Sequence, residues 1–470
     1  MKYMKFPAKI LGFLDSVAPE RFVLFLGVIA ILMSILIPPF QTPDEHTHFL
    51  KAVSMSYGHV RANKISPTEV GELLPSVYGT TIEHYIYMYG RSDQKVNEKM
   101  LKEDILSGFN GQDDAFSKFE NTAMYPPVFY IPQAVGVFIA RSVGLSVVMQ
   151  LYVARIMLAL AWTVTMFYAV RILPRNKILM LCVLALPSVY IVVASASSDA
   201  ITFSMIALIT SIVFRLRTSL NVKETRRMLS IVALCGVAMG LAKIPYNAAV
   251  LLLLLIPKSQ FEGIVSRKKY LAGVIGISLL LTFSWTAFVH DIYVKTNPDA
   301  NTAAQIQHLT NAPLETIAVM SNSLFFDQVS NFMVTDGAGV STWFNVKVSM
   351  TFVVVSYLVI AALALVAPPK KEVPTFSSKE KIFVVLGVLA CCYLVELLIY
   401  LSFNKPGSPE VEGLNARYFI PLLLPLLMVL PKMTAKKMGE YVWIERIAKI
   451  WVIAVGIVLP VLMYFRFYVA

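Results

Sequence analysis

The run FVLFLGVIAILMSILI, residues 22–37, followed at once by PPFQTPDEHTH, residues 38–48, decides how this chain is read. Sixteen residues without a charge come close to covering a hydrocarbon core of ~30 Å, and the proline pair ends them. Directly beyond lie Asp44, Glu45, His46 and His48, a group of acids and imidazoles at the mouth of a membrane segment. Working outward, apolar runs of crossing or near-crossing length recur near 150–170, 178–194, 200–214, 228–242, 245–256, 270–289, 346–367, 382–403, 415–430 and 448–465. Together they predict about eleven transmembrane helices in an all-α polytopic membrane protein. The composition agrees, since 57% hydrophobic and 15% charged residues over 470 positions are too apolar for a soluble domain.

The net charge of +12 does not point to nucleic acid, because the basic residues lie in short connectors between apolar runs, where they set topology. Arg171 to Lys177, Arg215 to Arg227, Lys258 to Lys269, Lys370 to Lys381 and Lys432 to Lys449 are such connectors, and with Lys2, Lys5 and Lys9 they belong in the cytoplasm. The first span is retained, as Pro38-Pro39-Phe40 offers no small-residue cleavage site. Successive basic connectors must be separated by an even number of crossings. For that reason the stretch 128–145, broken by Pro126, Pro127 and Pro132, is read as an interfacial or re-entrant helix rather than a span. The run from Met228 to Ile256 must turn back near Lys243-Ile244-Pro245.

A single integral membrane domain, 1–470, thus carries two outer segments, 38–127 and 290–345. Both are comparatively acidic, with twelve Asp and Glu against eight Lys and Arg in the first and five against one in the second. Loops of that length carry function more often than simple connection. Cys182, Cys235, Cys391 and Cys392 all lie in apolar runs, so neither a disulfide framework nor a zinc site is expected.

Thr42-Pro43-Asp44-Glu45 has the form of a helix start, with Thr42 at the N-cap, Pro43 at the first position and Glu45 placed for a capping box. Capping does not require Asp44 or the histidines. Asp44 and His48 are four residues apart and share a helical face, which suits a general base or a shared divalent cation; no other cofactor is indicated. Asp44 is preferred to Glu45 as base. Tyr125-Pro126-Pro127 reads as a surface anchor beside that cluster, or as part of a lipid portal in which Tyr125 contacts the substrate. Ser195 to Asp199 forms an outer turn in which Ser198 and Asp199 are either helix caps or contacts to a sugar. Lys243 with Tyr246, and Arg417 with Tyr418, sit at outer membrane edges against the positive-inside bias; either they snorkel to the interface or they form a phosphate clamp, the reading preferred here. Glu396 falls inside an apolar run, where an ionisable group needs a role or a partner.

Pro43-Asp44-Glu45-His46, Tyr125-Pro126-Pro127, Ser195 to Asp199, Lys243-Ile244-Pro245-Tyr246 and Arg417-Tyr418-Phe419-Ile420-Pro421, in this order, resemble the domain-of-unknown-function 2142 family of bacterial membrane proteins. That family resembles the GT-C glycosyltransferases, which take a sugar from a polyprenyl-phosphate donor outside the cytoplasm. The resemblance implies a multi-pass inner-membrane enzyme with its active site on the extracytoplasmic side, working on a glycan or lipid-linked acceptor. An acid in the first outer loop would be its base, a position that Asp44 occupies. A transporter or flippase of a lipid-linked glycan is the alternative; the absence of visible inverted repeats weighs against it.

Overall fold

A computed structural model describes residues 8–91, 93–111, 113–295, 297–328, 350–367, 376–430, 433–435 and 438–469 of the chain. Parts of the expected second outer segment, of the run 346–367 and of the connectors 370–381 and 432–449 lie outside the described residues. The protein is mostly helical, at 72%. In chain order the helices are α1 (Ala8–Ser16), α2 (Pro19–Leu36), α3 (Glu45–Ser56), α4 (Val77–Glu83), α5 (Glu98–Leu106), α6 (Glu120–Ala123), α7 (Ile131–Ser142), α8 (Val147–Ile172), α9 (Lys177–Leu184) and α10 (Pro187–Val193). There follow α11 (Asp199–Arg215), α12 (Val222–Met239), α13 (Arg267–Val289), α14 (Thr302–Asn311), α15 (Pro313–Asn322), α16 (Met350–Leu365), α17 (Ser378–Phe403), α18 (Ile420–Val429) and α19 (Met438–Tyr468).

Among the described residues five helical segments are long and apolar enough to cross a membrane: Pro19–Leu36, Val147–Ile172, Arg267–Ile292, Ser378–Phe403 and Met438–Tyr468. Other expected runs take irregular forms with identifiable causes. The run 178–194 breaks into α9 and α10 because Pro187, at the start of α10, has no N–H to continue the helix. Ile244–Leu255 is a 3-10 helix of 12 residues, opened by Pro245. At a rise of ~2.0 Å per residue it reaches roughly 24 Å, where the same residues as α-helix would reach about 18 Å.

Stretch 128–145 is a 3-10 turn, Pro127–Tyr130, followed by the 12-residue α7. Helix α7 lies against α8 closely enough that a Cβ on Gly136 would come 2.9 Å from the Ala154 Cα. Helices α2 and α8 meet in the same way, Gly27 accepting the Thr163 side chain where a Cβ would stand 2.4 Å from its Oγ1. Around these contacts Val23, Leu26, Ala30 and Met33 of α2 pack with Leu158, Trp162 and Met166 of α8 in one buried core. Close approach of small residues is how helices associate where lipid removes the hydrophobic drive between them.

The expectation of an all-α fold needs correction. Segment 38–127 holds a three-stranded antiparallel sheet in the order β1 (Asn63–Ser66), β2 (Glu69–Pro75), β3 (Asp114–Lys118). In β2 the exposed Leu73 lies between buried Glu72 and Leu74, a short alternation that composition-level reading passes over.

Ion pairs and backbone contacts sort the connectors into two ends. At one end Lys177 meets Glu20, Arg217 meets Glu380 at 2.7 Å, Arg446 pairs with Asp15, and Lys449 donates to the Leu14 carbonyl. At the other, segment 38–127 receives the opposite ends of two long helices. Arg61 pairs with Asp291 beyond α13, and Arg466 near the end of α19 donates to the carbonyls of Arg91 and Gln94.

Candidate functional site

The expected helix start at Thr42 is replaced by a different arrangement. Helix α3 opens at Glu45, and Asp44 occupies the N-cap position in the left-handed conformation, φ 59°, with no side-chain cap. Aspartate is one of the few residues that tolerates this region. Glu45 does not reach back to complete a capping box. Its carboxylate takes Arg155 of α8 on both oxygens, at 2.7 and 2.5 Å, and also accepts the Ala196 N–H at 3.1 Å. Arg155 further donates to the carbonyls of Ser34, Ile37 and Pro38 at the end of α2. Both side chains are fully buried. Glu45 is therefore the anchor of the loop and is withdrawn from reacting chemistry. Thr42 Oγ1 is buried with no hydrogen bond among the described residues.

With the loop held in this way, Asp44 projects its carboxylate toward Arg417, whose Nη2 lies 3.3 Å from Oδ2, while Asn121 donates to Oδ1 at 3.3 Å. The Asp44 side chain stays 40% exposed, which separates it from every other acid of the site. Asp199, at the first position of α11, pairs with Lys243 at 2.5 Å. Burial alone would raise the Asp199 carboxyl, but Lys243 and Arg417 outweigh it and hold it down to about 2. The Lys243 ammonium lies 4.7 Å from the Tyr125 ring centre and 5.7 Å from that of Tyr418; Arg417 stands over Tyr418 at 5.4 Å. Tyr246 donates to the Tyr418 carbonyl at 2.7 Å, and Arg417 Nε is buried without a hydrogen bond among the described residues. The site thus offers a half-exposed carboxylate, two cations and an unused guanidinium N–H.

His48 and Ser198 are near these groups but turned away from Asp44. His48 Nδ1 shares a 2.6 Å hydrogen bond with the Tyr130 hydroxyl, Nε2 lies 3.4 Å from Ser197 Oγ, and the ring stacks on Tyr125 and Tyr130. Ser198 is buried rather than facing open space. His48 is a buried strut between α3 and the 195–199 turn, and the reading of it as an acid/base partner on the Asp44 face is corrected on that ground. His46 sits edge-on to Tyr89. Among the described residues no three His, Cys, Asp or Glu side chains gather as metal ligands, and Asp44 and Asp199 each already hold a cation.

Beside Lys243 opens a cavity of about 310 Å³, with Tyr125, Lys243 and Tyr418 at its polar end and Ile244, Trp285 and Leu398 among its apolar walls. A smaller one of about 20 Å³, on Asp199 and Arg417, shares Tyr246 and Tyr418 with it.

Two functional residues escaped the sequence reading. Arg155 had a signal, as a lone arginine inside an apolar run. Asn121 had none, being one polar residue in a polar stretch.

Residues 22–427, which carry every one of these side chains, match the family described as predicted membrane protein, DUF2142. The chain belongs to that family. No curated protein and no solved structure matches it. In this DUF2142 protein the site is assembled from six separated stretches, Arg155 among them, so its integrity depends on the fold as a whole.

Burial lowers the His48 imidazole to about 3, with Lys243 adding to the effect. An unfolded chain binds that proton near pH 6.5. Stability is therefore complete above pH 6.5 and falls as the pH drops from 6.5 toward 3, by about 1.4 kcal/mol per pH unit from this group. His46, lowered by burial against the pull of Asp44 and Glu45, adds in the same direction. The Asp199 contribution lies lower, present above 3.8 and lost as the pH falls through about 2. Denaturation of the DUF2142 protein followed from pH 7 to 4 should show this slope, and His48→Gln should flatten it. An unchanged slope in that variant would remove His48 as the source.

Proposed function

We propose that this protein is a membrane glycosyltransferase of the GT-C type, which moves a sugar from a polyprenyl-phosphate donor to a glycan or lipid-linked acceptor on the outer face of the inner membrane. One observation carries the reading: a half-exposed carboxylate, Asp44, pairs with Arg417, which shares the Tyr418 ring with Lys243, and Lys243 and Tyr418 line a cavity with apolar walls. Lipid, phosphate and acceptor hydroxyl each find suitable chemistry there. In this reading the chain crosses about eleven times, the end rich in basic connectors is cytoplasmic, and Asp44, directly after the first crossing, lies outside.

Asp44 accepts the proton of the acceptor hydroxyl. The oxygen attacks the anomeric carbon from the face opposite the phosphate, the bond from that carbon to the phosphate oxygen breaks, and polyprenyl phosphate leaves with one added negative charge. Arg417, through its unused Nε–H, and Lys243 meet that charge. Asp199 keeps Lys243 aimed at the cavity. Tyr125 and Tyr418 exclude water around the cations.

Protein reconstituted in lipid and given labelled polyprenyl-phosphate sugars with cell-envelope acceptors should transfer label. Arg417→Ala removes a charge-assisted contact worth about 1.5–3 kcal/mol, so the donor KM should rise roughly tenfold to a hundredfold while the acceptor KM stays in place. Unchanged donor dependence would take Arg417 out of the donor site. Movement of an intact lipid-linked glycan across the bilayer, with no label transferred, would favour transport instead.

A further inference from the structure

The second outer segment contains a feature that an aqueous loop does not explain. Helix α14 stays at the level where α17 ends, since Gln305 Oε1 accepts the Gly407 N–H at 2.8 Å. Helix α15 then leaves that level. Ser321 bonds the Tyr393 hydroxyl at 2.8 Å, and Ser323 lies against Glu396. Tyr393 and Glu396 belong to α17, a membrane-crossing helix that ends at Phe403. At 1.5 Å per residue they lie roughly 15 and 10 Å below that end, and the hydrocarbon core is ~30 Å thick.

At this depth the segment shows apolar side chains on its outside. Leu314 is 80% exposed, Ile317 55%, Phe325 49% and Phe326 70%. Leu314 and Ile317 are three residues apart on one face of α15, and Phe325 and Phe326 follow in the turn beyond it. From Thr316 to Phe326 the chain carries no charge; Glu315 and Asp327 bracket it. The inward side covers a carboxylate, Glu396 being fully buried in α17. The segment then leaves α-helical geometry in a π-helical turn, Ser323–Gln328.

We propose that residues 313–328 form a re-entrant membrane element, α15 descending along α17 into the outer half of the bilayer with its exposed apolar face against lipid acyl chains. The occupant of that face is the bilayer, because the segment packs on a crossing helix at the level of Tyr393 and Glu396, well below the end of that helix at Phe403. This element keeps Glu396 out of lipid and backs α17, whose Val395, Leu398 and Ile399 line the large cavity. The inference is independent of the sugar-transfer reading.

Nitroxide labels at Ile317→Cys and Phe325→Cys, with Ile306→Cys on α14 as surface reference, test it in phospholipid vesicles. The four native cysteines are buried, so labelling is directed to the introduced site. Collisions with oxygen should exceed those with a water-soluble nickel chelate several-fold at 317 and 325, with the opposite order at 306. Nickel access at 317 or 325 equal to that at 306 would place the segment in water and overturn the proposal. Shielding from both reagents would overturn it too, assigning the face to a protein partner.

Discussion

Asp44→Asn should abolish sugar transfer, lowering kcat by about 10²–10⁴-fold, while the protein remains folded. The change is nearly isosteric, and asparagine accepts the left-handed backbone that residue 44 adopts as readily as aspartate does. Its oxygen can still receive the Asn121 amide. What disappears is the capacity to take a proton, together with the negative charge that faces Arg417 at 3.3 Å. The donor KM should therefore hold or fall, because the guanidinium is freed for phosphate. A coincident loss of donor affinity and of melting temperature would identify a structural carboxylate instead. Full transfer activity in the variant would end the assignment of Asp44 as base. Asp199 is no substitute, since it is largely enclosed and committed to Lys243.

The helical, membrane-embedded character was legible in the chain, because long apolar runs report directly on the bilayer, and five of them form helices long enough to cross it. What remained hidden has a common cause: pairings between distant residues. Thr42-Pro43-Asp44-Glu45 satisfies every local rule for a capped helix, yet Glu45 is claimed by Arg155, 110 positions later. A buried guanidinium outweighs a local cap, so the helix starts at Glu45 and Asp44 is released into the site. Lys243 and Arg417 were singled out because the charge rule, applied to the sequence, leaves them on the side where basic residues are unexpected. Their partners, Asp199 and Asp44, were singled out for other reasons and turned out to neutralise them. His48 illustrates the opposite case, in which a chemically capable side chain is spent on a hydrogen bond and ring contact with Tyr130. The strands of segment 38–127 were missed because they are short and lie in a polar stretch, where periodicity has little contrast.

The second large effect concerns Arg155, which no reaction step uses. Every donor nitrogen of its guanidinium has an acceptor, Glu45 through two oxygens and three carbonyls at the end of α2. Arg155→Ala leaves the Glu45 carboxylate buried and uncompensated and the three carbonyls without donors, a loss of about 3–5 kcal/mol. The Asp44 and Ser195 to Asp199 segments then lose their common anchor, because Glu45 also binds the Ala196 N–H. Glu45→Ala should cost a similar amount by stranding the cation. The double change to Glu45→Leu with Arg155→Met, which leaves no buried charge, should be less damaging than either alanine variant. A double-mutant cycle on thermal denaturation in detergent should give a coupling of at least ~2 kcal/mol. Additive losses would mean that the two side chains stabilise the protein separately. Arg155→Lys separates charge from geometry, for one ammonium cannot reproduce five directed N–H bonds. It should fold, yet hold Asp44 less firmly, and lose turnover out of proportion to its loss of stability.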